Sequence, residues 1–354
     1  MTCRKLKTWM SERYDLGGIE ALVRAKYVPS HRYDLSYFTG GVTLFLFFDQ
    51  CITGMGLSLY YVPQPEYAYK SILDIVTKLN MGWFFRSLHH WGAQLTIAAL
   101  LIHFFVNLLL KAYRKPRELL WITGFAMLGI CFLAGLSGYF LLWDERAFTA
   151  VRVATGGAGN IPIIGGFIKV LLRGGLDVTK ETLTRFYALH ISVLPFLSIG
   201  IIALHVFLVQ LHGMSVPLSQ KGKEGKPRPF FPNVFYQDLI VWLLATGIVV
   251  SLAVIFPPQI GVKADPLAPS PENIKPEWYF LFIFQTLKMF PGRVYGLNGE
   301  TLAMLIITVA ILFLFLVPFL DRRSSAQKPA PAYTIAGVLY MAYFLVMTLI
   351  GFIV

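Results

Sequence analysis

Four histidines lie deep inside two long apolar segments of the sequence, and they are His89, His103, His190 and His205. Within each segment the two histidines are 14 or 15 residues apart, close to four helical turns, so both imidazoles would share nearly one helix face about 21 Å apart. An ionisable side chain inside a membrane is costly without a partner. Two such helices facing each other would form two stacked bis-imidazole sites, which suit iron and predict two non-covalent b-type haems.

A single buried histidine is more often a hydrogen-bonded core residue than a metal ligand. Four histidines at matched depths have no structural reason to share one period on two helices, so the paired-haem interpretation is favoured. His90 lies beside His89 and points about 100° away around the helix, and it is interpreted as structural.

Four glycines repeat the period of the histidines. Gly40 and Gly54 are 14 residues apart in one apolar segment, as are Gly124 and Gly138 in another. Small residues also mediate ordinary helix packing in membranes. The shared period favours the alternative that these glycines make room for flat haems, and we predict that they line the haem sites.

Arg86 and Arg185 lie near the ends of the two segments that carry the histidines. There a guanidinium could pair with haem propionates or simply anchor the helix end at the membrane surface, and the sequence leaves both roles open. We include both arginines among the candidate cofactor-binding residues.

The elements that must position these residues are membrane helices. Of 354 residues 56% are apolar and only 14% are charged, with a mean hydropathy of +0.62. About 20 apolar residues cross the hydrocarbon core as a helix. No alternating pattern suggests a barrel. The predicted fold is an all-α membrane protein with seven transmembrane helices, a four-helix diheme bundle plus three C-terminal helices. The predicted spans are 37–60, 83–110, 118–142, 186–211, 236–257, 300–320 and 332–354.

The net charge of +12 comes from basic residues scattered between the apolar segments, so membrane topology explains it better than a nucleic-acid partner. Outside the spans, 18 Lys and Arg lie on the side of the N-terminus and 11 on the other. The first 35 residues are too polar for a secretory signal. We therefore predict a cell inner (cytoplasmic) membrane protein with a cytoplasmic N-terminus.

Cys3, Cys51 and Cys131 form no CxxC or CxxCH motif, which argues against zinc, disulfides and c-type haem. Residues 11–26 have the pattern of an amphipathic surface helix, with a disordered basic arm as the alternative.

The predicted domains are a diheme four-helix domain at 1–213, a cytoplasmic linker at 214–234, and a three-helix quinol-site domain at 235–354.

The sequence resembles cytochrome b of the bc1 and b6f complexes over nearly its whole length, in a fused b6-like plus subunit IV-like form. The motifs that carry the resemblance are RSLHHWGA, GYFLLWD, IPIIG at 161–165, RFYALH and PEWYF. The resemblance implies that His89 and His190 hold the outer haem and that His103 and His205 hold the inner one. It also implies that Pro276, Glu277 and Tyr279 line an outer quinol-oxidation site.

Glu277 is an acid in an aromatic, apolar loop, a setting that raises a carboxyl pKa and suits it to accept a proton from quinol. The resemblance implies that the chain would be a catalytic subunit of a quinol oxidoreductase, with bifurcated quinol oxidation, transmembrane electron transfer and proton translocation. It would be active only with a Rieske-type iron-sulfur protein. The further expected partners are a c-type cytochrome subunit, membrane lipid and a second copy of the complex.

The sequence departs from the family pattern at several positions. Phe38 replaces the cysteine that attaches an extra haem in b6-type proteins, so no covalent third haem is expected. Val106 and Gln210 replace arginines of the b6 type, so the resemblance does not determine the chemistry of the inner quinone site. Asp238 aligns with an acid proposed to supply protons there, although an aspartate at a membrane interface is often only solvated.

Two other functions are compatible with buried histidines. A diheme membrane anchor of a dehydrogenase would pass electrons without bifurcating them, but it does not explain the PEWY loop. A transporter could use the histidines as proton relays, but it does not explain the glycine spacing.

Overall fold

The computed structural model describes residues 3–14, 17–18, 21, 25–269, 274–294 and 296–354. Over these residues the protein is mostly helical, and the prediction of seven membrane-spanning helices is confirmed. Each is longer than the roughly 20 residues that cross a hydrocarbon core. Spans 1 to 7 are Asp34–Ser58, Gly82–Leu109, Glu118–Phe140, Lys180–His212, Phe230–Ile255, Gly299–Ser325 and Pro331–Ile353.

Spans 1 to 4 form the bundle in which span 1 packs on span 2 and span 3 packs on span 4. Span 5 packs on spans 1 and 2, span 6 packs on span 3, and span 7 packs on span 2. The outward faces of these helices are apolar, with Phe196 73% and Leu243 72% exposed. A helix that is apolar on all sides is stable in lipid, which is the solvent these faces require.

Span 4 contains a wide turn at the first of its two histidines. Residues Leu189–Val193 form a π-helical turn between the α-helices Lys180–Ala188 and Leu194–His212. Pro195 follows at once, and it has no N–H to donate to the carbonyl of Ile191. A π turn closes i→i+5 hydrogen bonds and so takes up one residue more than an α turn. The span also begins earlier than predicted, at Lys180.

The outer side of the molecule, opposite the N-terminal arm, carries four short helices: Ala68–Thr77, Glu145–Gly159, Gly165–Arg173 and Leu281–Met289. The motif at 161–165 forms the turn between the second and third of them. Several of their side chains join a buried cluster with Phe140, Trp143, Leu183 and Phe186 at the ends of spans 3 and 4. This cluster fixes the outer loops on the bundle. Two short strands, Arg293–Val294 and Leu297–Asn298, form a hairpin before span 6.

The inner side is closed by a pair of strands from distant parts of the chain. Strand Tyr27–Ser30 pairs antiparallel with Gly225–Pro229. Arg228 adds a 3.0 Å ion pair to Asp34. Part of the predicted linker 214–234 is therefore an ordered strand, while the division into domains stays a prediction.

The helix Cys3–Ser11 precedes this region. The predicted amphipathic helix over 11–26 lies in part outside the described residues, and it stays a prediction.

Candidate haem and quinol-oxidation sites

The outer pair of histidines meets across the bundle. The ring centroids of His89 and His190 lie 6.1 Å apart with the ring planes at 89°. A metal–imidazole bond is about 2 Å long, so two such bonds and the two half-rings span about this distance. The separation leaves room for one iron that both side chains would hold, and this role stays a prediction.

The inner histidines occupy the corresponding places one period further along spans 2 and 4. His103 faces span 1 and His205 faces span 3, each beside one of the predicted glycines. Asn107 donates to the backbone carbonyl of His103 and places its amide nitrogen 3.2 Å from Nε2 of that ring. That amide would have to turn away for a metal to bind at Nε2.

Each predicted glycine lies against one predicted ligand. A Cβ atom added to Gly40 would lie 3.1 Å from Cε1 of His103, and one added to Gly54 would lie 3.1 Å from Cε1 of His89. The corresponding distances are 3.3 Å from Gly124 to His205 and 2.5 Å from Gly138 to His190. The glycines keep open the space around all four rings, as a broad, flat cofactor would require.

The residue before each of these glycines carries a hydroxyl that contacts the same histidine. The hydroxyl oxygens lie 2.8–3.2 Å from Nδ1 of their histidines, and the pairs are Thr39–His103, Thr53–His89, Thr123–His205 and Ser137–His190. Each hydroxyl also donates its single hydrogen to a carbonyl three or four residues earlier on its own helix. The oxygen can then only accept from Nδ1–H, and at His190 the carbonyl of Ala134 is a second acceptor 3.0 Å from Nδ1. With the proton on Nδ1, Nε2 is left free as a metal ligand.

The two predicted propionate-binding arginines contact different loops. Arg86 donates to the carbonyls of Pro258 at 2.6 Å and Gln259 at 3.3 Å. Arg185 donates to the carbonyls of Leu171 and Val170 in the helix Gly165–Arg173. Both guanidiniums thus anchor outer segments to the bundle, and their role towards a haem stays a prediction.

The PEWY segment, Pro276–Tyr279, docks its aromatic rings on the bundle. Tyr279 is 3% exposed and stacks on Phe132 of span 3 at 5.8 Å. A Cβ atom on Gly135 would lie 2.5 Å from the Tyr279 hydroxyl, so this glycine gives the phenol its place. The segment continues through a 3-10 turn, Trp278–Phe280, into the helix Leu281–Met289.

Glu277 of this segment contacts span 2. Its Oε2 accepts a 2.8 Å hydrogen bond from Gln94, whose own Oε1 accepts a 2.7 Å bond from the indole of Trp278. Burial raises the pKa of the Glu277 carboxyl above its ordinary value, and the bond from Gln94 opposes that rise in part. A carboxyl with a raised pKa is suited to proton transfer near neutral pH.

At the inner face the departures from the family pattern have ordinary structural contacts. Gln210 accepts a hydrogen bond from Lys26, and Phe38 is buried at the start of span 1. Asp238 lies against Gly41 of span 1, beside Trp242, which stacks on Phe45 at 5.3 Å.

The model of the family described as cytochrome b/b6/petB matches residues 23–213, more than half of the chain. The chain belongs to the cytochrome b/b6 family. A second model, described as cytochrome b (C-terminal)/b6/petD, matches residues 263–354. Membership implies a membrane protein of electron transport that binds haem b, and it argues against the proton-relay transporter.

Three relatives show how the family match extends along the chain. The cytochrome b subunit of a cytochrome bc complex from Chlorobaculum thiosulfatiphilum is 42% identical over 96% of this chain and 79% of its own length. Cytochrome b6 of Acaryochloris marina is 41% identical over 60% of this chain and 99% of its own. A solved chain of a hyperthermophilic respiratory Complex III has a TM-score of 0.80 at 26% identity, with 98% of each chain covered. The predicted fused b6-like and subunit IV-like form is confirmed.

The structure brings together residues that sequence reasoning missed. The four hydroxyls that bind the histidines are visible in retrospect, because each glycine is preceded by Thr or Ser at the same spacing. Gln94 carries no such pattern, since its partner Glu277 lies 183 residues away in the sequence.

Proposed function

We propose that this cytochrome b is the transmembrane diheme subunit of a bc-type quinol oxidoreductase and that it carries out bifurcated quinol oxidation at its outer face. The observation that carries the proposal is the docking of Glu277 on span 2, the helix that also bears His89 and His103. This arrangement ties a proton-accepting carboxyl to the helix that holds half of the electron-carrying ligands.

Four side chains would hold the cofactors. His89 and His190 would bind the outer haem and His103 and His205 the inner one, through the Nε2 atoms that the four hydroxyls leave free. When bound, a haem accepts and passes on one electron at a time. The ring contacts of the four glycines and the 6.1 Å approach of His89 to His190 support two sites.

Glu277 supplies the proton chemistry of the outer site. Its carboxylate accepts a proton from the quinol, while the stacked Tyr279 and the preceding Pro276 shape the apolar wall beside it. Because the quinol would be oxidised at the outer face, its protons would be released there, while one electron would pass to an iron-sulfur partner and the second would cross to the inner face. A quinone at the inner face would take up that electron.

The partners follow from the kind of complex that relatives belong to. One relative is a subunit of a cytochrome bc complex and another of a respiratory Complex III. We extend this to the present chain and propose a Rieske-type iron-sulfur protein, a c-type cytochrome subunit and a dimer of the whole complex. The chain would lie in the cell inner (cytoplasmic) membrane with its N-terminus in the cytoplasm, as the excess of basic residues on that side favours.

The test is the pH dependence of quinol oxidation by the purified complex carrying Glu277→Gln, with Glu277→Asp as the matched acidic control. We expect Glu277→Gln to lower the rate about 100-fold or more, with unchanged haem spectra. In the parent complex the rate needs the ionised carboxylate, so it should fall as the pH falls through the raised pKa of Glu277. Glu277→Asp should retain this acid limb. An unchanged rate in Glu277→Gln would overturn the role of Glu277.

A further inference from the structure

Gln94 makes the direct polar link between the haem-ligand helix and the quinol loop. It lies on span 2 between His89 and His103, and its side-chain amide bonds both Glu277, at 2.8 Å, and Trp278, at 2.7 Å. Two consecutive residues of the PEWY segment are thus held by one side chain. Nothing in the family resemblance assigns this residue a role.

The orientation of the amide is set by chemistry. An indole N–H can only donate, so the Gln94 atom that faces Trp278 must be the carbonyl oxygen Oε1. The amide nitrogen is then turned to Glu277, where it can only donate. Trp278 therefore fixes Gln94 as a hydrogen-bond donor to the Glu277 carboxyl in either protonation state.

Few other groups act on this carboxyl. Among the described residues, Tyr139 on span 3 and Tyr279 in its own segment are the titratable side chains on which the charge of Glu277 acts. Within the described part of the chain no cation forms an ion pair with Glu277. The amide of Gln94 is the one described side-chain donor that stabilises its ionised form.

We propose that Gln94 is a positioning residue that holds the Glu277 carboxyl against span 2 and keeps it ready to accept the quinol proton. The proposal rests on the proposed function, since it deepens the role of Glu277 there. A donor to the charged form favours that form. Without Gln94 the carboxyl would hold its proton to higher pH and would lose its fixed direction.

The test reads the ionisation of Glu277 directly. In the purified complex, infrared difference spectra over a pH series give the titration of the protonated carboxyl band, which is assigned by its loss in Glu277→Gln. Gln94→Met keeps the length of the side chain and removes the donor. Gln50→Met, on span 1 and inside the same bundle, is the matched control for loss of a glutamine.

We expect Gln94→Met to move the carboxyl titration to higher pH by about one unit, the effect of losing one hydrogen bond to a charged group. The acid limb of quinol oxidation should move by the same amount. Gln50→Met should move neither.

Trp278→Phe provides a second variant that leaves Gln94 in place. It frees the amide to rotate, so it should shift the titration in the same direction by a smaller amount. The proposal is overturned if the Gln94→Met complex oxidises quinol more slowly at every pH while the carboxyl titration stays in place, because Gln94 would then be merely structural. If Gln94→Met fails to assemble, an unmoved titration in Trp278→Phe overturns the proposal instead.

The two proposals fail in different ways. If Glu277→Gln leaves quinol oxidation unchanged, the catalytic role of Glu277 fails, yet the infrared titration still shows whether Gln94 sets its ionisation. If Glu277→Gln is inactive and the infrared band is the same in the parent and in Gln94→Met, the positioning role alone fails.

Discussion

At the scale of single residues, each candidate haem ligand is flanked by a glycine and by the hydroxyl residue that precedes it. The glycine leaves the ring its space, and the hydroxyl fixes the proton on Nδ1. The histidines and glycines could be predicted from the sequence because both repeat along a helix with one period. The hydroxyls went unnoticed because Thr and Ser are common in membrane helices, where they usually bond their own backbone.

The glycine contacts lead to a matched pair of substitutions on span 3. A Cβ at Gly138 would lie 2.5 Å from His190, whereas one at Gly129 would have nothing within 4 Å. We expect Gly138→Ala to displace His190 and to lower the content of the outer haem, measured by absorbance spectra and haem extraction. Gly129→Ala should keep the parent content. Equal haem content in the two variants would contradict the role of Gly138.

At the scale of elements, the π turn reconciles two unequal spacings. The histidines of span 2 are 14 residues apart and those of span 4 are 15 apart. In a regular helix the extra residue would rotate His205 by about 100° around the axis of span 4, compared with a 14-residue spacing. The wide turn at Leu189–Val193 absorbs the extra residue, so both rings still face their glycines.

A pair of deletions tests this. Removing Ile191 shortens the π turn to an ordinary one and should keep both haems, because the spacing then matches span 2. Removing Gly200, between the π turn and His205, gives the same spacing but leaves the π turn in place. The part of the helix that carries His205 is then rotated, and we expect loss of the inner haem. Redox difference spectra of the two complexes report the result, and loss of the same haem in both would argue against the explanation.

Sequence patterns predicted the elements that depend on their own residues alone. They missed the elements that depend on contacts between residues far apart in the chain. The seven spans follow from apolar length, which each segment carries by itself. The π turn depends on Pro195 and on packing against the neighbouring spans, and the strand pair Tyr27–Ser30 with Gly225–Pro229 joins residues far apart in sequence. The contact between Gln94 and Glu277 is of the same distant kind.

At the scale of the whole molecule, the first family match ends at residue 213 and the second begins at residue 263, so the inner segment after span 4 and all of span 5 lie between them. The C-terminal part is tied to the bundle by side chains, since Trp91 donates to the carbonyl of Phe256 at 2.8 Å and Arg86 to that of Pro258 at 2.6 Å. Cytochrome b6 of Acaryochloris marina matches 60% of this chain over 99% of its own length.

Cutting the chain after Gly222 should therefore be tolerated. Gly222 is an exposed turn residue with φ +74°, and the cut leaves the strand Gly225–Pro229 on the C-terminal fragment, where it can still pair with Tyr27–Ser30. We expect co-expressed fragments 1–222 and 223–354 to purify together with parent haem spectra. Recovery of the N-terminal fragment without its partner would contradict this.

The haem count tests the molecule as a whole. Pyridine haemochrome analysis with acid-acetone extraction should give two extractable b-type haems per chain, because the four histidines would form the two proposed sites and Phe38 offers no thiol. A third haem that resists extraction would show the interpretation of Phe38 to be wrong. A single haem would remove one of the two proposed pairs.

The inner strand pair also orders events during synthesis. A ribosome delivers all four histidines once His205 has been made, but the strand that closes the inner side begins only at Gly225. Because domains tend to fold as their N-terminal parts emerge, the bundle can close around its cofactors while the arm at Tyr27–Ser30 is still unpaired. We therefore expect haem to enter the bundle before Gly225–Pro229 pairs with Tyr27–Ser30, during an interval that the order of synthesis itself provides.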